Sequence, residues 1–338
     1  MIETTEWIWH RGGWCRWQEA TVHVTTHALH YGSSVYEGLR SYDTPSGPAI
    51  FRLRDHIERF ERSCRLLRMD LPYAFDDLER ACREVVERNG LSACYVRPLA
   101  FRGSGAMGLT PTTSPVEVTI FAFPWGRYLG EGALEEGVDV AVSSWRRIDS
   151  GSLMPQGKIG GQYINNQLAS MEAKAGGFAD AILLDRDGRV TEGAGQNLFL
   201  VVGEEVVTPP LSSSILQGIT RDTVLTLARD LGLTVCEAVI TRESLYLADE
   251  LFLTGTASEI TPVRSVDRMQ VGSGRPGAVT RRLQEAFFAI VRAETPDRHG
   301  WLTHVGSQET ETQLAPFPRT QSTDREVSAE SSSRVNPS

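Results

Sequence analysis

Lysine is nearly missing from this 338-residue chain: Lys158 and Lys174 are the only two, and arginine supplies the rest of the 34 basic residues. A codon bias toward arginine explains that blandly, yet it narrows any lysine chemistry to two positions. Positive charge is not in excess either. The formal net charge of -9 argues against the broad basic face that neutralises nucleic-acid phosphates, so an anionic ligand must be met by a few placed groups. No apolar run approaches the ~18 residues of a membrane span, and Met1-Ile2-Glu3-Thr4-Thr5-Glu6 is acidic where a signal peptide is basic. A cytoplasmic protein is the expectation. The five cysteines, Cys15, Cys64, Cys82, Cys94 and Cys236, are odd in number and never spaced C-x-x-C, which argues against a disulfide framework or a zinc knuckle and for packed, reduced thiols.

What is present resembles an ordinary globular composition, with 41% hydrophobic and 23% charged residues. The length suits two domains and a tail. Val22–Thr26 is β-branched and reads as a strand leading into Tyr31–Arg40, where Gly32 and Gly38 suggest a bend or a close approach to a ligand. Apolar spacing predicts helices over 54–68, 75–89, 162–175, 219–231 and 276–293. Strands are expected at 93–101, 116–123, Val138–Trp145, Ala181–Asp185, Val190–Val202 and Glu250–Leu253. Helices and strands mix without strict alternation, so the fold class is α+β. We expect a small N-terminal domain at 1–123, a glycine-bearing linker at 124–133, a large domain at 134–305, and a Ser/Thr/Glu-rich disordered tail at 306–338.

Lys158 sits in Gln156-Gly157-Lys158-Ile159-Gly160-Gly161-Gln162-Tyr163, a glycine-bearing segment just before a helix, whereas Lys174 falls in that helix's last turn, where a solvated cation complements the dipole. Glu192 interrupts an apolar strand pattern in Thr191-Glu192-Gly193-Ala194-Gly195-Gln196-Asn197, and a buried carboxylate needs a partner. An outward glutamate on a hairpin explains that segment about as well. Gln217-Gly218-Ile219-Thr220 opens a helix whose free amides suit a phosphate, and Thr254-Gly255-Thr256-Ala257-Ser258 follows a strand with further hydroxyls and amides; either is also consistent with a plain capped turn. Tyr95 and Arg97, two apart on a strand, share a face on which arginine could pair bidentately with a carboxylate. His23, His27 and His30 have spacings that tempt a metal reading, but the β-branched context argues strand and against one shared face, and no metal is expected.

Together these segments resemble the class IV, or fold-type IV, aminotransferases, and most closely the branched-chain amino acid aminotransferases. The stretches that carry the resemblance are Tyr31–Arg40, His56–Arg59, Tyr95–Leu99, Phe123–Gly130, Lys158–Tyr163, Glu192–Phe199, Gly218–Asp222 and Ser244–Arg264, in family order across about residues 5–302. The resemblance implies two α/β domains with pyridoxal 5′-phosphate between them. It implies that Lys158 carries the cofactor and moves the proton, Glu192 pairs with the pyridine nitrogen, Tyr163 donates to the ring oxygen, and Arg59, Ile219, Thr220 and Thr256 hold the phosphate. It further implies that Tyr36, Gly38, Trp125 and Tyr128 line the substrate pocket, and that Tyr95, Arg97 and the amides of Thr256 and Ala257 meet carboxylates. Tyr31 and Leu109 are then expected to reach a neighbouring subunit's site, in a homodimer or hexamer. Transamination between L-leucine, L-isoleucine or L-valine and 2-oxoglutarate is the implied reaction; same-fold alternatives are transamination of D-amino acids or (R)-amines, or an aminodeoxychorismate-type lyase. Two departures stand out: Tyr36 where the family usually has phenylalanine, and Gln196 where it often has glutamate.

Overall fold

The computed structural model describes residues 2–126, 129–130 and 132–306; Tyr128 and the expected tail beyond Gly306 lie outside them. The chain opens with β1 (Trp7–His10) and β2 (Gly13–Arg16), then α1 (His27–Tyr31), β3 (Ser34–Tyr36), β4 (Leu39–Thr44) and β5 (Gly47–Phe51). Two helices follow, α2 (Leu53–Leu66) and α3 (Phe75–Arg88), and then β6 (Cys94–Arg102) and β7 (Val116–Phe123). These strands form an all-antiparallel sheet in which β6 lies between β4 and β7. Ile57, Phe60 and Cys64 of α2 and Leu78, Ala81, Cys82 and Val85 of α3 are buried against it, the stripes expected from their spacing. Burial pushes the Cys64 and Cys94 thiols up to about 12, which keeps them protonated and unreactive.

The second half runs through α4 (Ala133–Glu136), β8 (Val138–Arg146), α5 (Tyr163–Ala175), β9 (Asp180–Leu184), β10 (Arg189–Gly193), β11 (Asn197–Val202) and β12 (Glu205–Thr208). It continues with α6 (Ile219–Asp230), β13 (Thr234–Glu237), β14 (Ile240–Thr241), α7 (Ser244–Leu247), β15 (Glu250–Gly255), β16 (Glu259–Val266), β17 (Met269–Gln270) and α8 (Ala278–Val291). The sheet is mixed, with the order β13-β12-β11-β15-β16-β8-β9-β10-β14 and parallel pairs β12·β13, β16·β8 and β8·β9. Helices α6 and α8 bury Val224, Leu227, Leu283 and Phe287 over Phe199 and Phe252, whose rings stack at 5.0 Å.

Two expectations are corrected. Val22–Thr26 is not a strand: it runs as irregular chain into the helical turn α1, because His27 and His30 are tied to nearby groups and no neighbouring strand pairs with the segment beyond the single Thr26–Ser104 bridge. The single strand expected over 190–202 is two, β10 and β11, separated by a bend at Ala194-Gly195-Gln196 in which Gly193 N–H donates to the Gln196 carbonyl. Strand β18 (Leu302–His304), the last among the described residues, leaves the second half and pairs with β5, so the first sheet is completed by residues that follow the second sheet in the sequence.

Candidate active site

Lys158 lies where the two halves meet. Its N–H donates to Ser63 Oγ of α2 at 3.0 Å and its carbonyl accepts from Tyr36 N–H at 3.1 Å, while Ile159 bridges Val35. Next to it the backbones of Gly32 and Gly161 touch: a Cβ on Gly32, whose φ is +65°, would sit 2.7 Å from Gly161 Cα. Glycine is required at that contact both by sterics and by conformation. The Lys158 side chain donates from Nζ to Tyr163 Oη at 2.8 Å, with Nζ 4.8 Å from the Tyr36 ring. Burial pushes the Tyr163 phenol up, but the Lys158 charge and the hydrogen bonds from Lys158 and Tyr36 outweigh it and leave Tyr163 below its ordinary value. Lys174 is exposed in the last turn of α5.

Around Lys158 opens a cleft lined by Gly38, Arg59, Tyr95, Tyr163, Glu192, Ile219, Thr220, Thr256 and Ala257, among others. Glu192, on β10, is buried and accepts from Arg147 Nη2 at 2.7 Å, Asn197 Nδ2 at 2.9 Å and Leu216 N–H at 3.0 Å. Burial raises its carboxyl above the ordinary value despite Arg147. The first amides of α6 have no side-chain cap, and Gly218 precedes them; such an end attracts an anion. Arg59 is held by Glu37 through Nε at 2.6 Å and Nη2 at 2.8 Å, and donates from Nη1 to the Gln217 carbonyl. His56 completes this buried group, its Nδ1 2.7 Å from Glu37 Oε2. Burial lowers His56, so the ring is neutral and donates to a carboxylate that Arg59 keeps ionised, well below the usual carboxylate range, against the opposing effect of burial.

Tyr95 and Arg97 do share a face. The Arg97 guanidinium lies 4.6 Å from the Tyr36 ring and 5.2 Å from the Tyr95 ring, and its Nε is buried without a hydrogen-bond partner. Gly38 is what admits Tyr95: a Cβ there would stand 1.8 Å from the phenol oxygen. Trp125 joins through Tyr95, with ring centroids 5.3 Å apart. Tyr31 and Leu109 are not brought to this cleft; both are exposed and line a separate surface groove with His27 and Arg68. The histidines of the discarded metal reading have other partners: His27 meets Ser33 Oγ and the Gly108 carbonyl, His30 the Val24 carbonyl, and His23 the Thr25 hydroxyl.

A family model described as Amino-transferase class IV matches residues 34–266. The chain belongs to the class IV aminotransferases. Relatives include the branched-chain-amino-acid aminotransferase of Escherichia coli, 49% identical over 89% of this chain and 97% of that one. The Pseudomonas aeruginosa protein of the same name is 45% identical over 88% of this chain and 97% of that one. The crystal structure of the Escherichia coli enzyme superposes with a TM-score of 0.88, covering 89% of this chain and all of that one at 49% identity. The branched-chain amino acid aminotransferase of Thermobaculum terrenum, solved in its PLP form, matches with a TM-score of 0.84 at 38% identity, covering 90% of this chain and 99% of that one. The cofactor of this class IV aminotransferase is pyridoxal 5′-phosphate. The cleft fits it on its own terms: an amine, a buried carboxylate, uncapped helix amides, and a Thr254 Oγ1 that is buried without a hydrogen-bond partner.

Sequence reasoning gave Arg147 no place in the site, and assigned no role to Glu37, His56 or Asn197. Arg147 follows a strand and has no periodic signal; only its burial marks it.

Proposed function

We propose that this aminotransferase moves the amino group between L-leucine, L-isoleucine or L-valine and 2-oxoglutarate, giving branched-chain 2-oxo acids and L-glutamate. The observation that carries the reading is the Lys158 Nζ to Tyr163 Oη contact in a cleft that also holds buried Glu192, in a chain 49% identical to an enzyme bearing that name. When bound, pyridoxal phosphate supplies the electron-withdrawing ring that acidifies the α-C–H bond of an amino acid. Lys158 is the base that takes this proton from the α-carbon and returns it on the other side of the transfer. Tyr163 donates to the ring oxygen. Glu192 receives the ring N–H and holds it. Arg59, Thr220, Thr256 and the amide of Ile219 bind the phosphate, with Glu37 and His56 orienting Arg59.

Substrate carboxylates are met by Arg97, Tyr95 and the amides of Thr256 and Ala257. The unpartnered Arg97 Nε supports this, since a buried donor without a partner costs about 1–3 kcal/mol until a ligand satisfies it. Tyr36, Gly38 and Trp125 shape the side-chain pocket. Tyr31 at 45% and Leu109 at 89% exposure, lining one surface groove, support a homodimer or hexamer in which these residues reach a second subunit's cleft. No helix among the described residues is long and apolar enough to cross a membrane, and a cytoplasmic enzyme is the reading we adopt.

The test is the visible spectrum of the protein loaded with pyridoxal phosphate. L-Leucine should bleach the cofactor band and 2-oxoglutarate should restore it. Bleaching by D-alanine or an (R)-amine but not by L-leucine would move the function to a D-amino acid or (R)-amine transaminase, and no band at all would end the reading.

A further inference from the structure

Arg147 does not line the cleft, yet it supplies the only full positive charge bonded to Glu192 among the described residues. It sits directly after β8, its N–H bound to the Leu184 carbonyl at 2.8 Å. Its guanidinium is fixed in three directions: Nε donates to the Ser214 carbonyl at 3.3 Å, Nη1 to Asn166 Oδ1 at 3.0 Å, and Nη2 to Glu192 Oε1 at 2.7 Å. Both members of the ion pair are buried, at 7% and 4% exposure. A carboxylate so enclosed is driven toward its neutral form unless a cation faces it, and the other two donors to Glu192, the Asn197 amide and the Leu216 N–H, are uncharged.

We propose that Arg147 is a positioning residue for the reaction: it holds Glu192 ionised and turned, and through Glu192 it decides whether the cofactor's ring nitrogen keeps its proton. The proposal rests on the reading that Glu192 meets that nitrogen. With Arg147 in place the proton resides on the ring nitrogen and the charge on Glu192. Without it the proton passes from the ring nitrogen to the carboxylate, and the ring withdraws electrons less strongly. Lysine at 147 would restore a charge but not the three fixed bonds of a planar guanidinium, so it should rescue in part.

The experiment compares wild type with Arg147→Met, Arg147→Lys, Glu192→Gln and the double variant Arg147→Met/Glu192→Gln, each loaded with cofactor labelled with nitrogen-15 in the ring. Wild type should give the protonated ring signal, Glu192→Gln and Arg147→Met the unprotonated one, and Arg147→Lys a signal in between. The turnover rate per bound cofactor should fall at least about tenfold in Arg147→Met, since an opposite charge at this range holds a carboxylate by one to three pH units, and the double variant should be no worse than Glu192→Gln. In the apoprotein, the melting temperature of Arg147→Met should drop as pH rises from 5 to 8, because its buried Glu192 binds a proton that the unfolded chain has released; the double variant should lack that slope. Should Arg147→Met keep the protonated signal and the turnover of wild type while Glu192→Gln loses both, Arg147 is only structural and the inference is wrong. A protonated ring in Glu192→Gln would instead remove the reading on which it rests. If Arg147→Met does not fold, Arg147→Lys decides: a wild-type ring signal and turnover there would equally overturn the fixed-geometry requirement.

Discussion

At the scale of single residues, the site is arranged so that buried charges have assigned partners. Glu37 accepts from Arg59 at 2.6 and 2.8 Å and from His56 at 2.7 Å, and breaking a buried pair of this kind by removing one partner costs about 3–5 kcal/mol. Glu37→Gln should therefore weaken pyridoxal phosphate binding and lower the melting temperature, which calorimetry of apo and loaded protein will read. The sign with pH follows from the depressed Glu37 carboxyl: its stabilisation is fully present above the unfolded carboxylate range and is lost as pH falls below about 5. Wild type should thus lose stability on acidification more steeply than Glu37→Gln. Gln196 makes a second point. Its amide donates to buried Asp180 Oδ2 at 2.8 Å, and burial already raises Asp180. Glutamine at this position is suited to this neighbour, since Gln196→Glu would put two carboxylates together. That variant should melt several degrees lower, with the difference widening toward high pH as both groups ionise; a melting temperature equal to wild type at pH 8 would contradict this.

At the scale of elements, the cleft depends on where strands stop and helices start. The Ala194-Gly195-Gln196 bend between β10 and β11 carries Glu192 and Asn197 on its two arms, and the amides that open α6 come from the segment that also bonds Glu192 through Leu216. Gly218 sits between these: an added Cβ would lie 1.9 Å from Asn197 Oδ1. Gly218→Ala should push Asn197 off Glu192 and weaken cofactor affinity at least tenfold, measured by fluorescence titration, while the far-ultraviolet spectrum stays unchanged. Gly38→Ala, which meets the Tyr95 phenol, should act on KM for the amino acid more than on cofactor binding. The stripes of α2 and α3 were legible from spacing because each faces one sheet. The bend at 194–196 was not, because the apolar run Leu198–Val202 after it reads as a continuation of the same strand, and only the partners β9 and β15 enforce the reversal.

At the scale of the whole molecule, the two halves are held together near the site by contacts between residues far apart in the chain. Arg52 N–H donates to the Trp301 carbonyl at 2.6 Å, Arg52 also reaches Asp222 at 2.6 Å, and β18 closes the first sheet against β5. A chain ended after Gly306 should keep its melting temperature and turnover. One ended after Gly300 loses Trp301 and β18 and should melt several degrees lower with reduced cofactor affinity; equal stability of the two would show that the clasp contributes nothing.

The sequence by itself marked the candidate positions: a lysine in a glycine-bearing segment, a carboxylate in an apolar strand, a glycine before a helix start and a tyrosine-arginine pair on one strand face. These are legible because each is a local rule, set by the backbone freedom of glycine, the period of a strand or the open amides of a helix end. Tertiary structure alone decided which charges those groups would face. The pairs Arg147 with Glu192, and Arg59 with Glu37, join residues 45 and 22 positions apart, and no local pattern announces a bond whose strength comes from burial of both partners by elements that meet only in the folded chain.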